Sequence, residues 1–107
     1  MRNSEPRASL LRQARAIASP VRLRILQLLQ DPVGNFPPQV DGDLLRDGVC
    51  ADFIREKLAI APATASRHLS VLREAGLLTV KRQKGWSFYR RDEAVIRDFA
   101  KRIRESL

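Results

Sequence analysis

Residues 63–68, Ala-Thr-Ala-Ser-Arg-His, place two hydroxyls, a guanidinium and an imidazole within two helical turns. All four side chains can hydrogen-bond, yet none has the companion that catalysis would need. The chain has one histidine, no glycine-rich phosphate loop and no cluster of metal ligands. A nucleophile, base and orienting group therefore have no spacing to rest on, which argues against an enzyme and against a resident cofactor. Recognition is the chemistry that remains. Thr64 and Ser66 suit base edges or phosphates, although Ser66 also fits as a small packing residue. Arg67 suits the O6 and N7 acceptors of guanine or, equally, a phosphate clamp. His68 reads as a DNA or phosphate contact, or as a hydrogen-bonded link between helices, in preference to a metal ligand.

These side chains need a helix to present them. Ala65, Leu69 and Leu72 recur at i, i+4 and i+7, the stripe of a helix packed on a core, and Gly76 stops it. The offsets put Ala63, Thr64 and Arg67 on the opposite, outward face. Before it, CADFIREKL carries Phe53, Ile54 and Leu58 on one face of a second short helix. Ala59, Ile60 and Ala61 connect the two, and Pro62 suits the first turn. Two short helices so joined form the helix-turn-helix pattern, whose second helix enters the DNA major groove. LLTVKR (77–82) and WSFYRR (86–91) then read as strands around a Gln83-Lys84-Gly85 turn. In this hairpin Lys81, Arg82, Gln83 and Lys84 should reach phosphates or the flanking minor groove. Trp86 and Tyr89 read as buttressing it in preference to touching bases, and alternation makes Phe88 a core candidate.

ASPVRLRILQLL, then CADFIREKLAIAPATASRHLSVLREAGLL, then KRQKGWSFYRR resembles the ArsR/SmtB family of bacterial transcription regulators. The resemblance covers roughly residues 8–106. It implies a mainly α fold with a small β-hairpin: a winged helix-turn-helix of about five helices plus a two-stranded wing. It also implies a homodimeric repressor whose first and last helices pair across a two-fold axis, so residues 1–107 are expected to form one DNA-binding domain with terminal dimerisation helices. Two recognition helices about 34–36 Å apart would then read an inverted repeat in double-stranded DNA. One departure lies at Ala61, where the family has a serine-like N-cap, with its proline one position later than Pro62.

Charge agrees with a nucleic-acid partner. The net charge is +8, with residues 1–30 at +5, 31–60 at −3, 61–76 at +1 and 77–107 at +5. The wing and both terminal segments are basic, the footprint of phosphate contact, whereas a basic surface kept for solubility is the plainer alternative. At 107 residues, 44% hydrophobic and 30% charged, one soluble domain is expected. No apolar run is long enough to cross a membrane, and MRNSEPRASLLRQ lacks the core of a signal peptide, so a cytoplasmic location is expected.

The flanking segments read as helices. Residues 7–18 align Leu10, Leu11, Ala14, Ile17 and Ala18 on one face. Ser19 caps a central apolar helix that starts at Pro20 and ends at Asp31-Pro32. Asp92 caps a last helix with Val95, Ile96, Phe99 and Ile103 at helical spacing. Between them, residues 31–48 hold three Pro, three Gly and four Asp, an insertion relative to the family. It reads as a surface loop packed by Phe36, Val40 and Leu44, or as a ligand- or partner-binding flap.

Known sensors of the family bind metals through a C-x-C pair at the start of the first motif helix, or through Asp and His on the last helix. Here the first pair is Cys50 and Asp52, and the last helix has no His. One thiol per chain cannot build a soft-metal site alone, so no metal is assigned. Cys50 remains a possible redox sensor, with a small buried core residue as its plainer role. The effector is unknown. The competing reading is a winged helix used for protein contact or for nonspecific nucleic-acid binding.

Overall fold

The computed structural model describes residues 4–107, with side chains from Leu10 onward; the first three residues of the stretch read against a signal peptide lie outside the described residues. The order is α1 (Ser4–Ile17), α2 (Pro20–Leu28), α3 (Pro32–Asn35), β1 (Val49–Cys50), α4 (Ala51–Leu58), α5 (Pro62–Glu74), β2 (Leu78–Gln83), β3 (Trp86–Arg91) and α6 (Glu93–Ser106). No helix among the described residues is long and apolar enough to cross a membrane.

Helix starts follow the capping chemistry. The Ser19 side chain accepts from the Arg22 N–H, and the Asp92 carboxylate accepts from the Val95 N–H. Ala61 holds the extended backbone of an N-cap but offers α5 no side-chain acceptor. Ile25, Leu28, Ile54, Leu69, Leu72 and Leu77 are fully buried and knit α2, α4 and α5 together. Ala65, Leu69 and Leu72 face inward, as their spacing requires.

The expected winged helix-turn-helix is present, with two additions to its about five helices and two-stranded wing. Both additions border or lie within the 31–48 segment. The Asp31 carboxylate accepts from the Gly34 N–H and Pro32 fills the first position, so α3 is one capped turn hidden in a Pro/Gly-rich composition. Val49 and Cys50 pair antiparallel with Tyr89 and Phe88, giving a three-stranded sheet in the order β1-β3-β2. The hairpin turn is two residues rather than three, because Gln83 pairs with Trp86 inside the ladder. Lys84 and Gly85 both take positive φ, 53° and 78°, the geometry that matches the twist of a tight hairpin.

The sheet is buried on both faces at its centre. Val49, Val80 and Tyr89 lie in register and face the core. Cys50, Lys81 and Phe88 lie in register on the other face, where Phe88 is only 1% exposed. The 37–48 segment covers that face. Gly42, at φ +99°, approaches so closely that a Cβ there would stand 2.7 Å from the Phe88 ring. Gln39 fastens the segment: its Oε1 accepts from the Cys50 N–H at 2.7 Å, and its Nε2 donates to the Gly48 carbonyl at 3.0 Å.

Two packing expectations change, at Val40 and Trp86, and the face of α1 is only partly buried. Phe36 is buried and Leu44 half-buried, but Val40 is 99% exposed at the tip of the strap and packs on nothing. On α1 the most buried described residues are Gln13 and Ala16, while Leu11 and Ala18 are exposed. The helix is turned so that Gln13 Nε2 donates to the Ala75 carbonyl at the end of α5, a group the helix itself leaves unpaired. Tyr89 buttresses the wing from within, whereas Trp86 is left 41% exposed.

Candidate nucleic-acid interface

The helix-turn-helix is α4 and α5, joined through Ala59, Ile60 and Ala61. Ala59 closes α4 in the left-handed conformation, at φ 57°. This single reversed residue redirects the chain and sets Pro62 at the start of α5. Ala63, Ser66 and Arg67 are then exposed and Thr64 half-buried, all on the side away from the Ala65–Leu69–Leu72 stripe. The helix thus carries a short polar patch beginning at its first turn, where unpaired backbone N–H groups add positive potential.

His68 sits at the edge of this patch and is tied inward. Its Nδ1 lies 3.1 Å from Arg22 Nη1. A guanidinium can only donate, so Nδ1 accepts and the neutral ring carries its proton on Nε2. Burial holds the imidazole pKa below its ordinary value, helped by the positive charges of Arg22 and Arg67. Arg22 also donates through Nε to the Ala16 carbonyl at 2.6 Å and through Nη2 to the Arg15 carbonyl at 3.3 Å. The interhelical role weighed for His68 is thus the contact present in the fold.

The wing residues divide. Arg82 and Lys84 are exposed and Gln83 half-buried next to the turn. Lys81 instead ion-pairs with Asp47, its Nζ 2.5 Å from Oδ1. Arg46 and the Asp43 N–H meet the other carboxylate oxygen at 3.2 and 2.7 Å. Asp47 is 1% exposed, and its pKa is held far below the usual carboxylate range, first by Lys81, then by the Asp43 N–H and Arg46. Lys81 is therefore committed to fastening the 37–48 strap to β2.

Between α4, α5 and the wing runs a groove of about 260 Å³ whose lining includes Arg55, Ser66, Ser70, Arg82 and Ser87. Ser66 and Arg82 belong to the residues singled out by sequence. Arg55, Ser70 and Ser87 were missed, because only the folded wing brings them beside the recognition helix. Asp47 and Arg22 were missed for a similar reason: their partners lie 34 and 46 residues away.

Cys50 ends β1 and precedes the first turn of α4, 5% exposed. Burial pushes its thiol pKa up, outweighing the N–H groups of Phe53 and Asp52 that favour the thiolate. The helix start therefore does not make Cys50 a low-pKa thiol. Among the described residues, no group of three or more His, Cys, Asp or Glu side chains could hold a metal ion.

With this geometry in place, comparisons with known proteins are informative. The sequence model of the bacterial regulatory protein arsR family matches residues 50–80, the span from β1 through α4 and α5 into β2. An uncharacterized HTH-type transcriptional regulator of Bacillus subtilis (strain 168), YbzH, is 38% identical over 82 residues, covering 77% of this chain and 82% of the relative. Among solved structures, the homodimeric winged helix-turn-helix DNA-binding domain of a possible ArsR-family regulator from Mycobacterium bovis superposes with a TM-score of 0.69 at 24% identity, covering 98% of this chain and 84% of that one. An ArsR-like transcriptional regulator from Rhodococcus sp. RHA1 gives 0.70 at 19% identity, covering 94% and 81%. The last two establish likeness of fold, and the Bacillus relative establishes kinship. The chain therefore belongs to the ArsR family of bacterial regulators and is a DNA-binding winged helix-turn-helix transcription regulator, not an enzyme.

Proposed function

We propose that the protein is a cytoplasmic homodimeric repressor that binds an inverted-repeat operator and leaves it when an effector binds. The observation that carries this reading is the exposed patch Ala63, Ser66 and Arg67 on α5, flanked by Arg82 and Lys84 of the wing. A helix of this width fits the major groove, and a basic hairpin beside it fits the neighbouring phosphates. Thr64, His68 and Gln83 border the same surface, and Arg55, Ser70 and Ser87 extend it along the groove.

Dimerisation draws support from the helices at the two ends. α1 and α6 pack against each other and leave Leu11 51% exposed, with Leu10, Ala14 and Ile103 half-buried. A second copy would cover these apolar groups. The Mycobacterium neighbour is itself homodimeric. In this reading α1 and α6 are the dimerisation helices of a single domain.

Fluorescence anisotropy on DNA from the gene's own upstream region, beside a scrambled duplex at physiological salt, tests the proposal. Selective binding at two chains per site, with an inverted-repeat footprint, is the expected result. Salt-sensitive binding indifferent to sequence would instead mark a nonspecific nucleic-acid binder, and no binding would favour a winged helix devoted to protein contact.

A further inference from the structure

On the face of the wing away from the core lies an open cleft of about 310 Å³, bounded by the strap, α4 and the start of β3. Phe53 and Trp86 form its apolar walls, with Val40 standing at the rim. Val40 is 99% exposed, Trp86 is 41% exposed and Phe53 is half-buried. Each comes from a different element, and the strap that supplies Val40 is pinned by the Asp47–Lys81 pair and by Gln39. The apolar walls are thus held in place without a filling of their own. A cleft of this volume is at the small end of the range that takes low-molecular-weight ligands.

The cleft's charge runs against the rest of the molecule. Asp41, Asp52 and Glu56 line it, and no Lys or Arg does, in a chain of net charge +8. Arg55 approaches Asp52 at 3.4 Å and Glu56 at 3.9 Å, but it lines the neighbouring groove that faces the recognition helix. Asp41 has no ion-pair partner among the described residues. The carboxylates do not gather into a metal site. They line the same cleft as the Trp86 indole, and an indole face is the strongest aromatic attractor of a diffuse cation. Anionic and phosphate-bearing ligands, which the basic surfaces favour, are repelled here.

We propose that this cleft is a binding site for a small organic cation, a quaternary or alkylated ammonium with an aromatic or branched apolar body, stacked on Trp86 and held by Asp41, Asp52 and Glu56. The cleft adjoins the groove beside α5, with Asp52 lining both, and its existence does not depend on the repressor reading.

Trp86 is the chain's only tryptophan, so its fluorescence reports on the cleft without a label. The full-length protein, without DNA and at constant ionic strength, is titrated with benzyltrimethylammonium, with benzyl alcohol as neutral control and benzenesulfonate as anionic control. Saturable quenching is expected with the cation, half-complete at or below about 1 mM. Benzyl alcohol should bind about tenfold more weakly, and benzenesulfonate should give no saturable change. Asp41→Asn with Asp52→Asn should weaken cation binding about tenfold; both side chains are exposed, and the Asp52–Arg55 surface pair contributes little to stability. A strictly linear response to the cation, an equal response to benzenesulfonate, or unchanged affinity in the double variant would overturn the proposal.

Discussion

Lys81 Nζ stands 2.5 Å from Asp47 Oδ1 and joins the inserted 37–48 strap to the first strand of the wing. The Asp47 side chain is 1% exposed, so breaking this pair would leave a carboxylate in a dry place with Arg46 and one backbone N–H for company. Asp47→Asn should lower Tm at neutral pH. The folded pKa of Asp47 lies below its unfolded value. Its stabilisation is therefore full above the ordinary carboxylate range, about pH 4, and fades as pH falls further. The Tm difference between wild type and variant, large at pH 7, should shrink steadily from pH 4 to pH 2; a constant difference would refute the assignment.

A second titration belongs to His68. Its folded pKa is depressed, so the fold prefers the neutral ring that accepts from Arg22. The stability this preference supplies is present above the unfolded histidine value, about 6.5, and is lost as pH falls through the folded one. His68→Asn offers an acceptor near the Nδ1 position and cannot titrate. Urea midpoints measured from pH 7.5 to pH 5 should decline more steeply for the wild type than for this variant.

Gly42 tests the strap directly. Its φ of +99° and the 2.7 Å approach of a Cβ to Phe88 both oppose any side chain. Gly42→Ala should cost about 2 kcal/mol from backbone strain and overpacking, read as a lower urea midpoint with unchanged slope. A neutral substitution would mean that the strap does not press on the sheet.

Ala61 offers the reverse, a gain. Its backbone is already extended at φ −69° and ψ 151°, and it supplies no side-chain cap. Ala61→Ser should add an acceptor for a first-turn N–H of α5 and stabilise the protein by about 1 kcal/mol, raising Tm by a few degrees.

On DNA, Arg67 and Lys84 should separate by salt and by sequence. Lys84→Ala removes a phosphate contact, weakening all duplexes alike and reducing the slope of log K against log salt by about 1. Arg67→Ala distinguishes the two roles open to that side chain. Loss of about 1–3 kcal/mol on the operator, with little change on a scrambled duplex, marks a guanine reader, and equal loss on both marks a clamp.

The exposed face of α5 was largely legible in the sequence because it is local. The stripe Ala65–Leu69–Leu72 fixes which side of α5 is buried, and Ala63, Ser66 and Arg67 follow by helical geometry. Cap residues Ser19 and Asp92 act on N–H groups three positions on, so they too could be read from the chain. What escaped depends on distant pairs. Nothing near Asp47 announces that it meets Lys81, and a Pro/Gly-rich stretch conceals both α3 and the pairing of β1 with β3. Alternation correctly flagged Phe88 as buried, but the cover proved to be Gly42 of the strap. Val40, an apolar residue in a loop, was expected inside and stands in water, because the strap's anchors are Phe36, Gln39, Gly42 and Asp47. The basic wing was legible as charge. That Lys81 is spent on a carboxylate was not, since the period-2 pattern gives its face but not what lies across from it.

Arg22 ties α1 to α5 alongside the bonds from Gln13 to the Ala75 carbonyl and from Arg12 to the Glu74 carbonyl. Its guanidinium grips the last carbonyls of α1 with two nitrogens and the imidazole on α5 with the third. Helix α1 is the element proposed to meet a second subunit, and α5 is the second helix of the helix-turn-helix, proposed to read DNA. A tilt of α1 against α2 would therefore load the Arg22–His68 contact, as a tie rod loads a wheel. In a dimer built on α1, a shift of that helix would be felt at α5 through Arg22 as well as through the Gln13–Ala75 bond, with no need to melt anything between.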